Sequence, residues 1–305
     1  MRLVKRIVRS LVHRIKLLQW DIYKYFKKDI YIYTKHGVYL HKVTNDDPIH
    51  KQLYLNGHYE YDFIEKTMSF LKENYNISNE TLLDIGANNG VISFEMLLNG
   101  FFKKSIAVEP EPNNFNKLCK NIEFNKLEQH IDTYNIALSD SPGELSFELS
   151  DENYGDHRVR VNGSETQDNS LSDEFNESKR KTIKVKSETL TEFMKDKNAS
   201  LIWMDVQGFE PYILKGGIDY FNSMQNNIPA VLEFWPYGMK RNGISKKGYV
   251  ELLNTIFTHY YLYRYGRFIK YKVQYIELLW DELEYGTHFE SVIFVNEKKL
   301  NEVHE

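Results

Sequence analysis

The run Leu82-Leu83-Asp84-Ile85-Gly86-Ala87-Asn88-Asn89-Gly90 reads as a strand, a glycine turn and the start of a helix. Glycines at 86 and 90 let the backbone turn tightly and approach a ligand with no Cβ in the way. The acid two residues before the first glycine decides what such a turn can hold. A pyrophosphate needs the positive end of a helix, and Asp84 opposes it. A nucleoside carrying a positive amino group and a positive sulfonium suits an acid there, so D-x-G-x-x-x-G favours S-adenosylmethionine over a nicotinamide dinucleotide. An ordinary strand-to-helix turn selects the same residue types, so the reading needs support from elsewhere in the chain.

Two further strand ends supply it. Ala107-Val108-Glu109-Pro110 places a carboxylate nineteen residues after Gly90, where it can accept both ribose hydroxyls. Asn135-Ile136-Ala137-Leu138-Ser139-Asp140 then offers Asp140 to an adenine amino group and adjacent backbone to the ring edge. Three consecutive strand ends that each offer an acid define one cofactor pocket, expected to be built from Asp84, Gly86, Ala87, Asn88, Gly90, Glu109, Pro110, Ser139 and Asp140.

These segments, followed by Met204-Asp205-Val206-Gln207-Gly208-Phe209-Glu210 and Leu214-Lys215-Gly216, resemble the FkbM-type S-adenosylmethionine-dependent methyltransferases from about Tyr59 to about Pro236. The resemblance implies O-methylation of a hydroxyl on a sugar, polyketide or related metabolite. One position departs from the family pattern: Gln207 stands where a glutamate is usual. An amide takes no proton at neutral pH and binds a hard cation weakly, so a base or ligand role cannot be carried over to it.

Methyl transfer to a hydroxyl is an in-line displacement in which the protein aligns the acceptor oxygen and removes its proton. The base candidates are Asp205 and Glu210 after the fourth strand, Glu233 in Leu232-Glu233-Phe234-Trp235-Pro236, and His157 in Asn153-Tyr154-Gly155-Asp156-His157-Arg158. Each also has a plainer role open to it: Asp205 and Glu210 as caps of the helix starting at Pro211, His157 as a solvated loop residue, Glu233 as a strand-end contact. Asp205, Glu210 and Glu233 could offer oxygen ligands, but nothing in their spacing requires a metal. Two competing readings are a nicotinamide-dependent oxidoreductase, disfavoured by Asp84 and by the lack of G-x-G-x-x-G, and a non-catalytic cofactor- or membrane-binding chain, for which Gln207 is the only hint.

The elements that must position these residues alternate as in a βαβ protein. Strands are predicted at Thr81–Ile85, Ser105–Glu109, Thr133–Leu138, Leu201–Val206 and Ala230–Phe234, with late ones near Tyr260–Arg264 and Ser291–Val295. Helices are predicted at Asp62–Tyr75, Val91–Asn99, Asn113–Asn125, Thr189–Lys195, Pro211–Phe221 and Lys246–Thr258. The expectation is an α/β, doubly wound, Rossmann-like sheet of seven strands of the class I methyltransferase kind, spanning 61–300, preceded by an N-terminal helical extension and connecting segment over 1–60. Ile30–Tyr33 and Val38–Leu40 suggest a small hairpin, and the polar stretch Ser164–Ser178 a surface loop between the third and fourth strands.

The 305 residues carry a net charge of −4 that divides unevenly. Residues 1–28 hold nine Lys/Arg against the single acid Asp21, a net +8, which leaves −12 for the rest. An acidic body argues against duplex nucleic acid as a partner, and no Asn/Asp-Pro-Pro-Tyr segment of the kind used for base N-methylation follows the fourth strand. One cysteine, Cys119, excludes a disulfide scaffold and fits a reducing, cytoplasmic setting. The basic leader reads as one amphipathic helix with Trp20 near its polar edge. Such a helix suits peripheral contact with an anionic membrane leaflet, or packing on its own domain or on a second subunit in a homo-oligomer. The expected partner is otherwise a small-molecule or glycan acceptor.

Overall fold

The computed structural model describes residues 2–26, 29–34, 37–42, 48–58, 60–150, 154–161, 180–223 and 228–297. The Ser164–Ser178 loop lies outside these. The chain opens with helix α1 (Arg2–Phe26), the antiparallel hairpin β1 (Asp29–Tyr33) and β2 (Val38–Lys42), then α2 (Pro48–Asn56) and α3 (Tyr61–Tyr75). The main sheet follows with β3 (Thr81–Ile85), α4 (Val91–Leu98), β4 (Lys104–Val108), α5 (Pro112–Asn125) and β5 (Ile131–Tyr134). Three strands, β6 (Ala137–Ser139), β7 (Gly143–Leu149) and β8 (Arg158–Arg160), leave it before β9 (Lys181–Thr189). The chain rejoins the main sheet at β10 (Leu201–Met204) and β11 (Ala230–Phe234), and closes with β12 (His259–Arg264), β13 (Arg267–Lys272) and β14 (Glu290–Val295).

Eight strands form the main sheet in the order β13-β12-β14-β11-β10-β3-β4-β5. Strands β5, β4, β3, β10 and β11 run parallel; β14, β12 and β13 add an antiparallel edge. The parallel strands β10 and β11 are buried throughout and apolar except for Glu233 in β11, as expected where helices cover both faces. After β3 the chain builds outward to β4 and β5, then returns to the other side of β3 as β10. The sheet therefore reverses direction between β3 and β10, so a crevice opens at their C-terminal ends.

Two departures from the predicted strands have local causes. The single strand expected over Thr133–Leu138 is two: the Asn135 side chain donates to the Glu109 and Pro110 carbonyls at 2.8 and 3.1 Å, and beyond it the chain turns away to pair β6 with β9. The eighth strand, β13, doubles back on β12 through Tyr265 and Gly266, both at positive φ. A second sheet, β6-β9-β7-β8, was not anticipated, although Glu144-Leu145-Ser146-Phe147-Glu148-Leu149 alternates polar and apolar residues at period two.

The N-terminal elements share a core with the flank of the sheet. Trp20, Ile32, Tyr39 and Leu53 pack with Phe94, Leu118 and Ile122. No helix among the described residues is long and apolar enough to cross a membrane.

Candidate active site

A cavity of about 670 Å³ sits at the β3/β10 reversal, floored by the strand ends and roofed by the second sheet through Phe147, Leu149, His157 and Val159. The turn after β3 enters it. Gly86 stands at φ 85°, and a Cβ there would lie 2.0 Å from the Asp205 carbonyl oxygen, so only glycine lets the two strand ends close up. The Gly86 and Ala87 N–H groups donate to Val108 O at 2.9 and 3.0 Å, and the Asn88 N–H donates to Glu109 Oε2 at 2.8 Å.

All three turn amides are therefore committed inside the protein, and they offer no cradle for a pyrophosphate. The lining instead has six carboxylates, Glu60, Asp84, Glu109, Asp156, Asp205 and Glu233, against the single guanidinium of Arg180 among the described residues. That balance fits a cationic nucleoside. Burial pushes Asp84 up to about 7 against the bonds it accepts from Ser93, and Glu109 up to about 8 against the N–H groups of Glu111 and Asn88. A bound ammonium or sulfonium would restore their ionised forms.

Six of the nine predicted cofactor residues line the cavity: Asp84, Gly86, Ala87, Asn88, Glu109 and Pro110. Asp84 also accepts the Ser93 N–H at 3.1 Å, so it anchors the first turn of α4 as well. Gly90, Ser139 and Asp140 lie outside the lining. Gly90 starts α4 at φ 98°, and its missing Cβ leaves room for Leu118 and Phe94. Ser139 is covered by the helix Glu210–Gly216, where a Cβ on Gly216 would meet the Ser139 carbonyl at 2.0 Å. Asp140 is held by Lys215 at 2.8 Å. Ile136, Ala137 and Leu138, just before it in the chain, line the cavity.

The catalytic candidates separate similarly. Asp205 and Glu233 line the cavity from the ends of β10 and β11, joined by Gln207, whose amide donates to Asp205 Oδ1 at 2.7 Å and to Glu233 Oε2 at 3.3 Å. A glutamate at 207 would bring a third carboxylate against these two, whereas the amide binds both. Asp205 is exposed to the cavity, and desolvation by the protein around it raises its pKa against the bonds from Gln207. Burial raises Glu233 more strongly, and the neighbouring Asp205 adds to it.

Glu210 does not line the cavity. It is fully buried, its Oε1 accepts the Val206 N–H at 3.0 Å, and it fixes the turn that aims Asp205 and Gln207. Asp205, Glu210 and Glu233 offer ligand atoms within 4.8 Å of one another, close enough to share a proton or to hold a divalent cation.

His157 lines the cavity, but its Nδ1 accepts the Ser150 N–H at 2.9 Å. Burial, with help from the positive charge of Arg180, drives its pKa down to about 3. A neutral ring whose Nδ1 accepts from Ser150 carries its hydrogen on Nε2 and can donate there. It sits on a buried ion-pair network that the sequence reading missed. Arg158 lies 3.3 Å from Asp156 and 3.7 Å from Glu148, Arg241 lies 3.5 Å from Glu148, and Arg180 is paired with Asp156. This network ties the roof to the helix Pro236–Arg241.

The profile of the methyltransferase FkbM domain matches residues 84–265. The chain belongs to the FkbM methyltransferase family. The methyl donor of this FkbM chain is S-adenosylmethionine, in agreement with the charge of the cavity. No curated protein sequence matches it. Among solved structures it is similar to a methyltransferase FkbM from Methylobacillus flagellatus KT, at 13% identity and TM-score 0.41 over 71% of this chain and 43% of that one. It thus spans less than half the length of that protein. It is also similar to a putative tRNA (m1A22) methyltransferase of Streptococcus pneumoniae, at 14% identity and TM-score 0.36 over 77% of this chain and 69% of that one. A third is M. capricolum TrmK in complex with S-adenosylhomocysteine, at 14% identity and TM-score 0.35 over 75% and 67%.

Proposed function

We propose that this FkbM chain transfers a methyl group from S-adenosylmethionine to a hydroxyl of a sugar, glycan or related metabolite. The observation that carries the reading is the Asp205–Gln207–Glu233 group, which opens on the same cavity as the cofactor turn. The cofactor supplies an electrophilic methyl carbon on a sulfonium. Asp84, the 86–88 turn and Glu109 would hold it, with carboxylates facing its positive charges. The protein's remaining task is to hold the acceptor oxygen in line and take its proton. A hydroxyl is a poor nucleophile until that proton leaves, and carboxylates whose pKa values burial has raised are stronger bases than exposed ones. Asp205 is the proton acceptor, because of the two strand-end carboxylates bound by Gln207 it is the exposed one and Glu233 the buried one, while Gln207 fixes its orientation and Glu233 shares the amide. The −12 body disfavours a polyphosphate chain.

The test is single-turnover transfer from labelled cofactor with Asp205→Asn and Glu233→Gln. Asp205→Asn should slow transfer about 10²–10⁴-fold, with cofactor affinity retained by calorimetry. Wild-type turnover would remove Asp205 from the chemistry. Offering saccharide, lipid-linked saccharide and RNA acceptors assigns the substrate: label recovered as a sugar methyl ether supports the reading, and label on an RNA base overturns it.

A further inference from the structure

Helix α1 is attached by the side opposite to its apolar stripe. Trp20 is only 3% exposed and packs at 5.5 Å on Tyr54 of α2, Tyr23 meets the same ring edge-on, and Lys16 donates to the Tyr54 and Leu55 carbonyls. At 100° per residue, Lys16, Trp20 and Tyr23 lie across the helix from Val8, Leu11, Ile15, Leu18 and Ile22. Those five are 52, 59, 49, 64 and 47% exposed, so none of them is buried against the described residues. Tyr25 and Phe26 continue the exposed face to the end of the helix.

From this inverted packing we infer that α1 is a docking surface for an anionic lipid bilayer. Three features favour a bilayer over a second copy of the chain. The stripe runs along some five turns of helix, too long and too apolar to be left to water in a surface helix. It belongs to the segment of net +8, which attracts an anionic leaflet, whereas two such helices laid stripe to stripe would bring +16 together. Arg14 flanks the stripe on an exposed position, where its stem can lie along the apolar surface and its charge reach lipid headgroups. The helix lies in the interface plane and does not cross it.

Docking there would hold the catalytic cavity at a fixed place relative to the leaflet. The face of α1 away from the lipid is bolted to α2, and α2 reaches the cofactor turn through the hydrogen bond between His50 and Asn89.

The test is co-sedimentation of the full chain with vesicles of phosphatidylcholine alone and of phosphatidylcholine mixed with phosphatidylglycerol. The expected result is binding to the mixed vesicles only, weakened by added salt, and a loss of affinity of about tenfold or more in the triple variant Leu11→Glu, Ile15→Glu, Leu18→Glu. Thermal melting and cofactor binding of that variant should match wild type, since the three side chains are exposed. Equal binding to neutral vesicles overturns the anionic assignment. No binding by wild type, or a dimer in light scattering that the triple variant abolishes, overturns the bilayer in favour of a second copy. A variant that melts well below wild type shows the stripe to be packed within the chain and overturns it too.

Discussion

The substitution Glu210→Gln separates structural from chemical roles in the carboxylate group. Burial pushes this side chain from 4.5 up to about 8. Between those two values the folded chain keeps a proton that the unfolded chain has released, so stability falls as pH rises, by at most about 1.4 kcal/mol per unit. Integrated from about pH 6 to about pH 8, wild type loses about 2 kcal/mol through this residue alone. Glutamine imitates the protonated acid: its Oε1 can still accept the Val206 N–H, and an uncharged amide nitrogen takes the place of Oε2. The difference in unfolding free energy between variant and wild type should therefore shift by about 2 kcal/mol in the variant's favour across that pH range. Urea titrations followed by tryptophan fluorescence, with a chelator present to keep the carboxylates free of cations, read it directly. Because Glu210 lies behind the cavity wall, turnover of the variant should stay near wild type. Parallel stability curves, with a constant offset from pH 6 to pH 8, would refute the argument that burial holds the proton there.

Gly86→Ala should cost about 2–5 kcal/mol from a strained positive φ and from overpacking against Asp205, and it should abolish cofactor binding in calorimetry even at temperatures where the fold survives. Asp140→Ala breaks a partly exposed ion pair with Lys215 and two long hydrogen bonds from Ser139 and Ser141; a stability change under about 1 kcal/mol and an unchanged cofactor dissociation constant are expected. A large loss of affinity would return Asp140 to the adenine site. His157→Gln keeps a donor toward the cavity, so the pH profile of turnover should retain its shape, with no limb near the usual histidine range to lose. Disappearance of such a limb would make His157 a base after all.

Much of the site was legible in the chain because its signals are local. Asp84, Gly86 and Asn88 sit in one strand-turn-helix passage, where backbone conformation and neighbour spacing restrict residue choice. Glu109 and Asp205 end strands whose apolar runs are visible without any partner. Other features depend on contacts far apart in sequence. The pairing of Lys215 with Asp140 and the bond from the Val206 N–H to Glu210 join residues that no local pattern connects to these roles. His157 could not be weighed because its basicity is set by burial under the roof, and the strands of that roof are short, charged and separated by long connections.

The leader states the division most plainly. Its sequence alone determined an amphipathic helix with cations opposite an apolar stripe, since helical periodicity needs nothing but the order of residues. Which side meets the protein was decided by Tyr54 and the carbonyls of α2, which take Trp20 and Lys16 and leave the stripe exposed. Amphipathicity is a property of one helix, whereas its orientation is a property of what the rest of the chain presents to it.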